Sequence, residues 1–210
     1  MRRRRHPSCV EREGEPRLRP LEELVRLPRR SPLHPELERA LAAAGRLHAL
    51  RSNLAPVPVR ATTTTGEAGA YRFRKGDPID LRVSRRADRV ASAFVHELGH
   101  FVDHQLGWAS HGHPAFEPWR RRVAELERIP FRGRRTHRYF HSARELWARS
   151  YSQTVLLRSA DPLLEGQLAA LQERGDVYVW PPDAFAPVAL EVERTLERLG
   201  LTQLVLPLAA

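Results

Sequence analysis

The chain has 210 residues, enough for one domain of mixed architecture with a sizeable hydrophobic core. Hydrophobic residues make up 41% and charged residues 29%, which is a globular composition, and no apolar run is long enough to span a bilayer, so we expect no membrane partner. The basic start has no apolar stretch behind it, and the one cysteine, Cys9, allows no internal disulfide, so we expect a cytoplasmic protein.

The net charge of +10 bears on the choice of partner. A basic surface attracts nucleic acid through the phosphates. No nucleic-acid-binding motif accompanies the charge, so we interpret most of it as a solvated arginine-rich surface.

The first fifty residues are expected to form a tail and two helices. Residues 1–20 are charged, contain proline and lack periodicity, which predicts a disordered basic segment. The remainder, 21–206, is expected to fold as one domain. It would open with a short helix over 21–27 and a firmer helix from about Pro35 to Leu50, with proline at its first turn.

A β-rich stretch follows these helices. "VPVRATTTT" is rich in β-branched residues, whereas "AYRFR" and "IDLRVS" alternate in polarity and are separated by the turn sequence "KGDP". We predict a meander that ends in a hairpin, with "IDLRVS" as the edge strand.

The second half of the chain is predicted to be helical. A helix from about Arg86 to Leu106 ends at Gly107. Further helices are expected near 114–129, 142–158, 162–174 and 183–200, with "VYVWPP" as a short strand between the last two. The fold class is therefore α+β: a small antiparallel sheet packed on one long helix, followed by a mostly helical C-terminal half.

The long helix contains the sequence "HELGH". Residues four apart on an α-helix share one face, so His96 and His100 can supply two of the four positions around a tetrahedral zinc ion. Glu97 lies beside them, where it can take the proton from a zinc-activated water. Apolar residues fill the other faces, and Gly99 lets another backbone pack closely. Because buried polar side chains need a partner, the motif predicts a Zn²⁺ site.

A catalytic zinc site needs a third protein ligand, and Glu145 is the candidate. It lies in "HSARELWARSYSQ", on a predicted helix. An alternative stays open, because Ser142 and Glu145 match S-x-x-E, a capping box in which the glutamate bonds the start of its own helix. The competing candidate ligands are His104, His111, His113, His137 and His141.

The "HELGH" helix after a β-strand resembles the zincin metallopeptidases whose third ligand is a glutamate, the gluzincins. Weaker resemblances connect the chain to anthrax-lethal-factor-like peptidases and to metallopeptidase-like proteins of phages and mobile elements. Asp103 and Leu106 stand where metzincins would have glycine and histidine, which excludes that group. Arg149 stands where thermolysin-like members keep a supporting aspartate. The resemblance also implies that the strand before the metal helix, "IDLRVS", pairs with an extended substrate.

Three further residues are candidates for supporting roles. Asp103 can accept a hydrogen bond from a liganding imidazole, or it is a solvated helix residue. Tyr139 and Tyr151 flank Glu145 by six residues on either side. Either tyrosine can donate to a developing oxyanion, or it belongs to the core or the surface.

Together these residues predict a zinc-dependent metallopeptidase that acts on a protein or peptide substrate, with Glu97 as general base. The alternative is a catalytically inactive zincin-like module that serves in binding or as a structural component of a phage-like particle.

Overall fold

The computed structural model describes residues 17–126 and 139–202, and in these ranges the protein is a mixed α+β structure, as predicted. The strands are β1 (Leu18–Arg19), β2 (Val25–Arg26), β3 (Leu50–Arg51), β4 (Val57–Thr62), β5 (Gly69–Arg74) and β6 (Asp77–Ser84). The α-helices are α1 (Leu21–Leu24), α2 (His34–Leu47), α3 (Val90–Gln105), α4 (Glu117–Leu126), α5 (Ala143–Leu157), α6 (Pro162–Glu173) and α7 (Pro182–Arg198). None of these helices combines the length and the apolar character needed to cross a membrane.

The first described residues form a strand, so the prediction of disorder over the whole of 1–20 is wrong at its end. β1 pairs antiparallel with β3, with Leu18 opposite Arg51. Since Leu50 joins this ladder, α2 ends before the predicted residue. Residues 1–16 and 203–206 of the predicted segments lie outside the described residues.

The main sheet is mixed, whereas the sequence predicted an antiparallel one. Its strand order is β2-β4-β6-β5, and β4 runs parallel to both of its neighbours. Only β5 and β6 pair antiparallel, through the predicted hairpin, in which Lys75 and Gly76 both have positive φ as a tight two-residue turn requires. A turn sequence such as "KGDP" predicts pairing only between the two strands that it connects. The pairing of β4 with β6 is non-local and left no such signal.

The edge strand beside the long helix is β5, so the prediction that "IDLRVS" forms the edge is also wrong. That sequence lies in β6, which has β4 on one side and β5 on the other. Leu81 and Val83 of β6 are fully buried, and the outward-facing Asp80 is covered by the side chains of Arg60, Arg72 and Arg82. A central strand and an edge strand can show the same alternation of polar and apolar residues. The pattern of "IDLRVS" therefore could not tell the two positions apart.

The segment "VYVWPP" forms a turn, where the sequence predicted a strand. Its backbone is bonded by side chains of α5: Gln153 accepts from Trp180 N and donates to Trp180 O, both at 2.8 Å. Arg149 also donates to Val177 O. These side chains satisfy the backbone groups that a neighbouring strand would otherwise satisfy.

The long helix α3 contacts the sheet on one side and α5 on another. Gly99 permits the close approach of α5, because a Cβ at this position would lie 2.9 Å from Ala148 Cα and 3.1 Å from Tyr151 Cδ1. The prediction that Gly99 admits another backbone is therefore confirmed. This contact sets the distance between the two helices that carry the candidate metal ligands.

Candidate metal centre

Helix α3 presents both histidines of the motif to one cleft. The ring centroids of His96 and His100 are 4.9 Å apart, and each side chain is partly exposed. The other faces of α3 are buried, as the apolar flanks predicted. The helix therefore holds the two imidazoles in place with their polar edges turned toward the cleft.

Glu145, on the first turn of α5, lies opposite the two histidines. Its Oε1 is 3.3 Å from Nε2 of His96, and its Oε2 is 3.5 Å from Nε2 of His100. The Glu145 side chain is 2% exposed, and Oε2 makes no hydrogen bond. Burial opposes ionisation of this carboxyl, but the two imidazoles outweigh burial and lower its pKa well below the usual range. The three candidate ligand atoms lie within 4.8 Å of one another, the one such group found among the described residues.

The capping alternative for Glu145 concerns its backbone and leaves its carboxylate available. Ser142 Oγ accepts from Glu145 N at 3.3 Å, which caps α5 as S-x-x-E predicted. The reciprocal bond of a capping box is missing, because Ser142 N donates to Tyr139 O. The carboxylate of Glu145 therefore faces His96 and His100. Glu145 takes part in the helix cap through its backbone N–H and in the cluster through its side chain.

Glu97 lies beside the cluster and is held by the edge strand. Its Oε2 accepts from Tyr71 N of β5 at 2.7 Å. Gly69 makes room for it, since a Cβ there would lie 2.8 Å from Glu97 Cγ. Burial raises the pKa of Glu97 to about 7, against the lowering effects of the charge of His100 and of the Tyr71 hydrogen bond. The hydrogen bond and the fit against Gly69 therefore fix the orientation of the carboxyl, and its burial favours the protonated form.

A cleft of about 930 Å³ contains the cluster. β5 borders one side of the cleft, and the N-terminal end of α5 borders the other. The cleft continues past His100 to Trp108 and Arg144, and past His96 to Tyr178. It is thus long enough to extend on both sides of the candidate metal position.

Two predicted supporting residues have structural roles in place of the expected ones. Tyr151 is fully buried and its hydroxyl bonds Nε2 of His48 at 2.8 Å, so it cannot reach an oxyanion in the cleft. Tyr151 is therefore the core residue that the sequence left open as its alternative, and its catalytic assignment is wrong. Asp103 is also fully buried, and its two oxygens accept from Ser110 N and Ser110 Oγ, at 2.8 and 2.6 Å. Asp103 thus holds the loop after α3, and the structure assigns it no hydrogen bond from an imidazole.

The remaining predicted tyrosine and one unpredicted tyrosine both line the cleft. Tyr139 is 63% exposed, and partial burial together with the Glu145 carboxylate raises its pKa. Tyr178 comes from the turn after α6, and its ring lies edge-on to His96 with the centroids 6.1 Å apart. Arg89 packs over the Tyr178 ring at 4.5 Å. Tyr178 was not predicted as a cleft residue, because its segment was expected to form a strand.

The four competing histidines that the structure describes do not join the cluster. His104 Nδ1 bonds the Tyr71 hydroxyl at 2.6 Å, and His113 Nδ1 accepts from Ala115 N. His111 lines the cleft without approaching the group of three. His141 is likewise outside the group, and His137 lies outside the described residues.

Two arginines of α5 were also missed as cleft residues. Arg149 is 1% exposed, and its guanidinium lies between the rings of Phe140 and Trp180, at 4.4 and 4.2 Å. Arg144 is exposed, and its guanidinium lies 3.8 Å from the Trp108 ring. The sequence places Arg144 directly before Glu145 and Arg149 four residues after it, but only the tertiary structure places aromatic rings beside them.

Comparison of the chain with models of protein families, with curated proteins and with solved structures finds no match.

Proposed function

We propose that the protein is a zinc-dependent metallopeptidase in which His96, His100 and Glu145 hold the metal and Glu97 is the general base. The observation that carries this proposal is the convergence of two Nε2 atoms and one buried carboxylate on a single point of the cleft. Two imidazoles and one carboxylate form a ligand set of catalytic zinc sites, which keep a further position open.

The burial of these groups supports a cation at this point. Glu145 Oε2 is buried and makes no hydrogen bond, and a buried carboxylate is costly unless a cation or several donors compensate it. The imidazoles of His96 and His100 are both partly open to the cleft. A divalent ion would satisfy all three side chains at once.

The chain's own residues supply the proton transfers that peptide hydrolysis needs. A bound zinc ion would supply Lewis acidity, which acidifies water and polarises a carbonyl group. Glu97 would accept the proton of the attacking water and deliver it to the leaving amine. The hydrogen bond from Tyr71 N keeps one carboxylate oxygen occupied, so the other is the one that exchanges the proton.

The edge strand supports a peptide as the substrate. Among the described strands, β5 pairs with β6 alone. Its second edge lies along the cleft and is open apart from Tyr71 N, which donates to Glu97. An extended peptide can add to such an edge by backbone hydrogen bonds. A peptide laid along β5 would pass over Glu97 and the metal ligands.

The test is peptide cleavage by the wild-type chain and by Glu97→Gln, each loaded with zinc and incubated with peptides from digested protein. We expect the wild type to cleave some of them, and Glu97→Gln to retain zinc but lose turnover by about a hundredfold or more. Glu125→Gln, a change of the same kind at an exposed residue of α4, is the control and should cleave like the wild type. Cleavage that survives Glu97→Gln would contradict the proposed base, and a zinc-loaded wild type that cleaves nothing would favour the inactive binding module.

A further inference from the structure

One arginine in the cleft has no carboxylate partner among residues 17–126 and 139–202. Arg144 makes no ion pair with any described residue, and its guanidinium lies on the indole ring of Trp108 at 3.8 Å. The second cleft arginine, Arg89, is paired with Asp176 at 2.5 Å. The third, Arg149, is buried between aromatic rings. Of these three cations, Arg144 is the one exposed and open to a ligand.

The way Arg144 is held leaves its donors available. A guanidinium stacked on a ring uses its face, and its N–H groups point outward in the plane. Stacking also reduces the side-chain freedom that would be lost on binding. Arg144 is therefore oriented in advance to donate two parallel hydrogen bonds to a carboxylate.

Aromatic rings form a wall beside this guanidinium. The His104 ring stacks on Trp108 with centroids 4.7 Å apart, and Phe73 lies 4.8 Å from His104 and 5.2 Å from Trp108. Phe73 is 44% exposed although it is apolar. Tyr71 donates to His104, or accepts from it, at 2.6 Å and so fixes the wall to β5. We name Phe73, His104 and Trp108 the aromatic shelf.

No described acid forms an ion pair with Arg144, although burial raises the pKa of Asp103 and the charge of Arg144 partly opposes that rise. Asp103, the closest acid along α3, is buried and bonded to Ser110. Glu145, the next residue on α5, points to the two histidines of the cluster. The shelf end of the cleft thus offers a cation and an apolar wall, which together fit the methylene stem and the charged head of an acidic side chain.

We propose that Arg144 and the aromatic shelf form a subsite for a carboxylate of the peptide substrate, on the His100 side of the metal position. This inference rests on the proposed function, since it takes a peptide to be the ligand of the cleft. The carboxylate has two sources, an aspartate or glutamate side chain and the free C-terminus of the peptide. Both present the same planar pair of oxygens to the guanidinium.

Binding measured on a chain that does not turn over separates this inference from the proposed catalysis. Zinc-loaded Glu97→Gln protein is titrated with short amidated peptides that differ only by Glu or Gln, and with a neutral peptide that has a free C-terminus. Titration calorimetry gives each dissociation constant. We expect about tenfold tighter binding of the peptide that carries the recognised carboxylate than of its neutral, amidated counterpart.

Variants of Arg144 make the assignment specific. Adding Arg144→Gln should reduce the tenfold ratio to near one, and adding Arg144→Glu should reverse it in favour of a Lys-containing peptide. Adding Arg121→Gln, which removes the charge of an exposed arginine of α4, should leave the ratio unchanged. A purely structural role of Arg144 would weaken binding of all peptides alike and would not produce the reversal.

The outcomes decide between the two claims. Equal binding of acidic and neutral peptides to Glu97→Gln protein that keeps Arg144 overturns the subsite. It leaves the proposed role of Glu97 in catalysis intact. Carboxylate selectivity in binding without cleavage by the wild type supports the subsite and overturns the peptidase. If no peptide binds and none is cleaved, both claims are overturned.

Discussion

The backbone amide of Tyr71 donates to Oε2 of Glu97 at 2.7 Å, and this bond joins the edge strand β5 to the helix that carries the histidines. The orientation of the candidate base is therefore set by a strand that lies outside the "HELGH" motif. Gly69, two residues before Tyr71, completes the contact because a side chain there would collide with Glu97. Changes in β5 should consequently act on catalysis without touching a metal ligand.

Gly69→Ala tests this coupling. The new Cβ would lie 2.8 Å from Glu97 Cγ and 3.1 Å from Arg82 O, so either the carboxylate or the strand must move. A displaced general base costs on the order of a hundredfold in rate. We expect kcat to fall by about that factor in the peptide assay, while zinc content measured by metal analysis stays stoichiometric.

The matched control for this change is Gly166→Ala on α6. A Cβ at Gly166 meets nothing within 4 Å, and replacing glycine inside a helix adds roughly 0.5–1 kcal/mol of stability. That variant should keep the wild-type kcat. A Gly69→Ala enzyme with unchanged kcat would show that Glu97 does not depend on β5 for its position.

Zinc should stabilise the fold by binding the Glu145 carboxylate, independently of the Ser142 cap at the start of α5. A ligand at a hundred times its dissociation constant adds about 2.7 kcal/mol to the free energy of unfolding. We expect this zinc-dependent increment in the wild type and its loss in Glu145→Ala, read from urea unfolding with zinc and with chelator. Ser142→Ala removes only the cap and should lower stability by about 1 kcal/mol in both conditions, with the increment intact. A zinc increment that persists in Glu145→Ala would remove this residue from the ligand set.

Gly99→Ala should distort the candidate metal centre by pushing apart α3 and α5, the two helices that carry its ligands. Its Cβ would lie 2.9 Å from Ala148 Cα, a backbone atom of α5 that cannot turn aside. Overpacking of this kind costs about 1–3 kcal/mol, and the separation of α3 from α5 also moves Glu145 away from the two histidines. We expect lower unfolding free energy together with weaker zinc affinity in a competition titration. Loss of stability with unchanged zinc affinity would show that the helix spacing does not control the site.

The buried His48 predicts acid sensitivity of the fold. Its Nδ1 donates to Ala49 O at 3.0 Å, so Nε2 accepts from the Tyr151 hydroxyl at 2.8 Å, and burial lowers the pKa of His48 from 6.5 to about 4. The unfolded chain binds this proton more readily, so stability is complete above pH 6.5 and declines as the pH falls toward 4. A difference of two to three pKa units corresponds to about 3 kcal/mol. His48→Gln should lack this component, and equal pH slopes of wild type and variant in urea unfolding would contradict it.

Most parts of the site that the sequence predicted are local; Glu145 is the exception, because it lies on a different helix and was named since a catalytic zinc site needs a third protein ligand. The spacing of His96 and His100 on one helix, the glycine at the helix contact and the cap at Ser142 all follow from residues within one turn. Tyr151 could have been rejected on the same ground, since six residues along a helix turn about 240° and place it away from the face of Glu145. The position of β4 beside β6 and the approach of Tyr178 depend on distant packing, which no local pattern records.

Tyr178 is the cleft tyrosine that we expect to donate to the oxyanion. Its ring stands edge-on to His96, and packing against Arg89 and Phe140 limits its rotation. No described residue bonds its hydroxyl. Burial and the Glu145 carboxylate raise the pKa of both Tyr139 and Tyr178, so both hydroxyls keep their proton, and the fixed ring of Tyr178 is what favours it. Tyr178→Phe removes one donor to the developing charge, and such a loss lowers kcat by roughly a hundredfold.

The comparison with Tyr139→Phe makes this prediction specific. Tyr139→Phe should change kcat less than Tyr178→Phe does, and neither variant should alter zinc content, because neither tyrosine belongs to the ligand set. KM should also stay near the wild-type value in Tyr178→Phe, since the lost bond forms in the transition state and not with the bound peptide. A larger loss of kcat in Tyr139→Phe would transfer the donor role to Tyr139. A rise in KM at constant kcat would place Tyr178 in peptide binding instead.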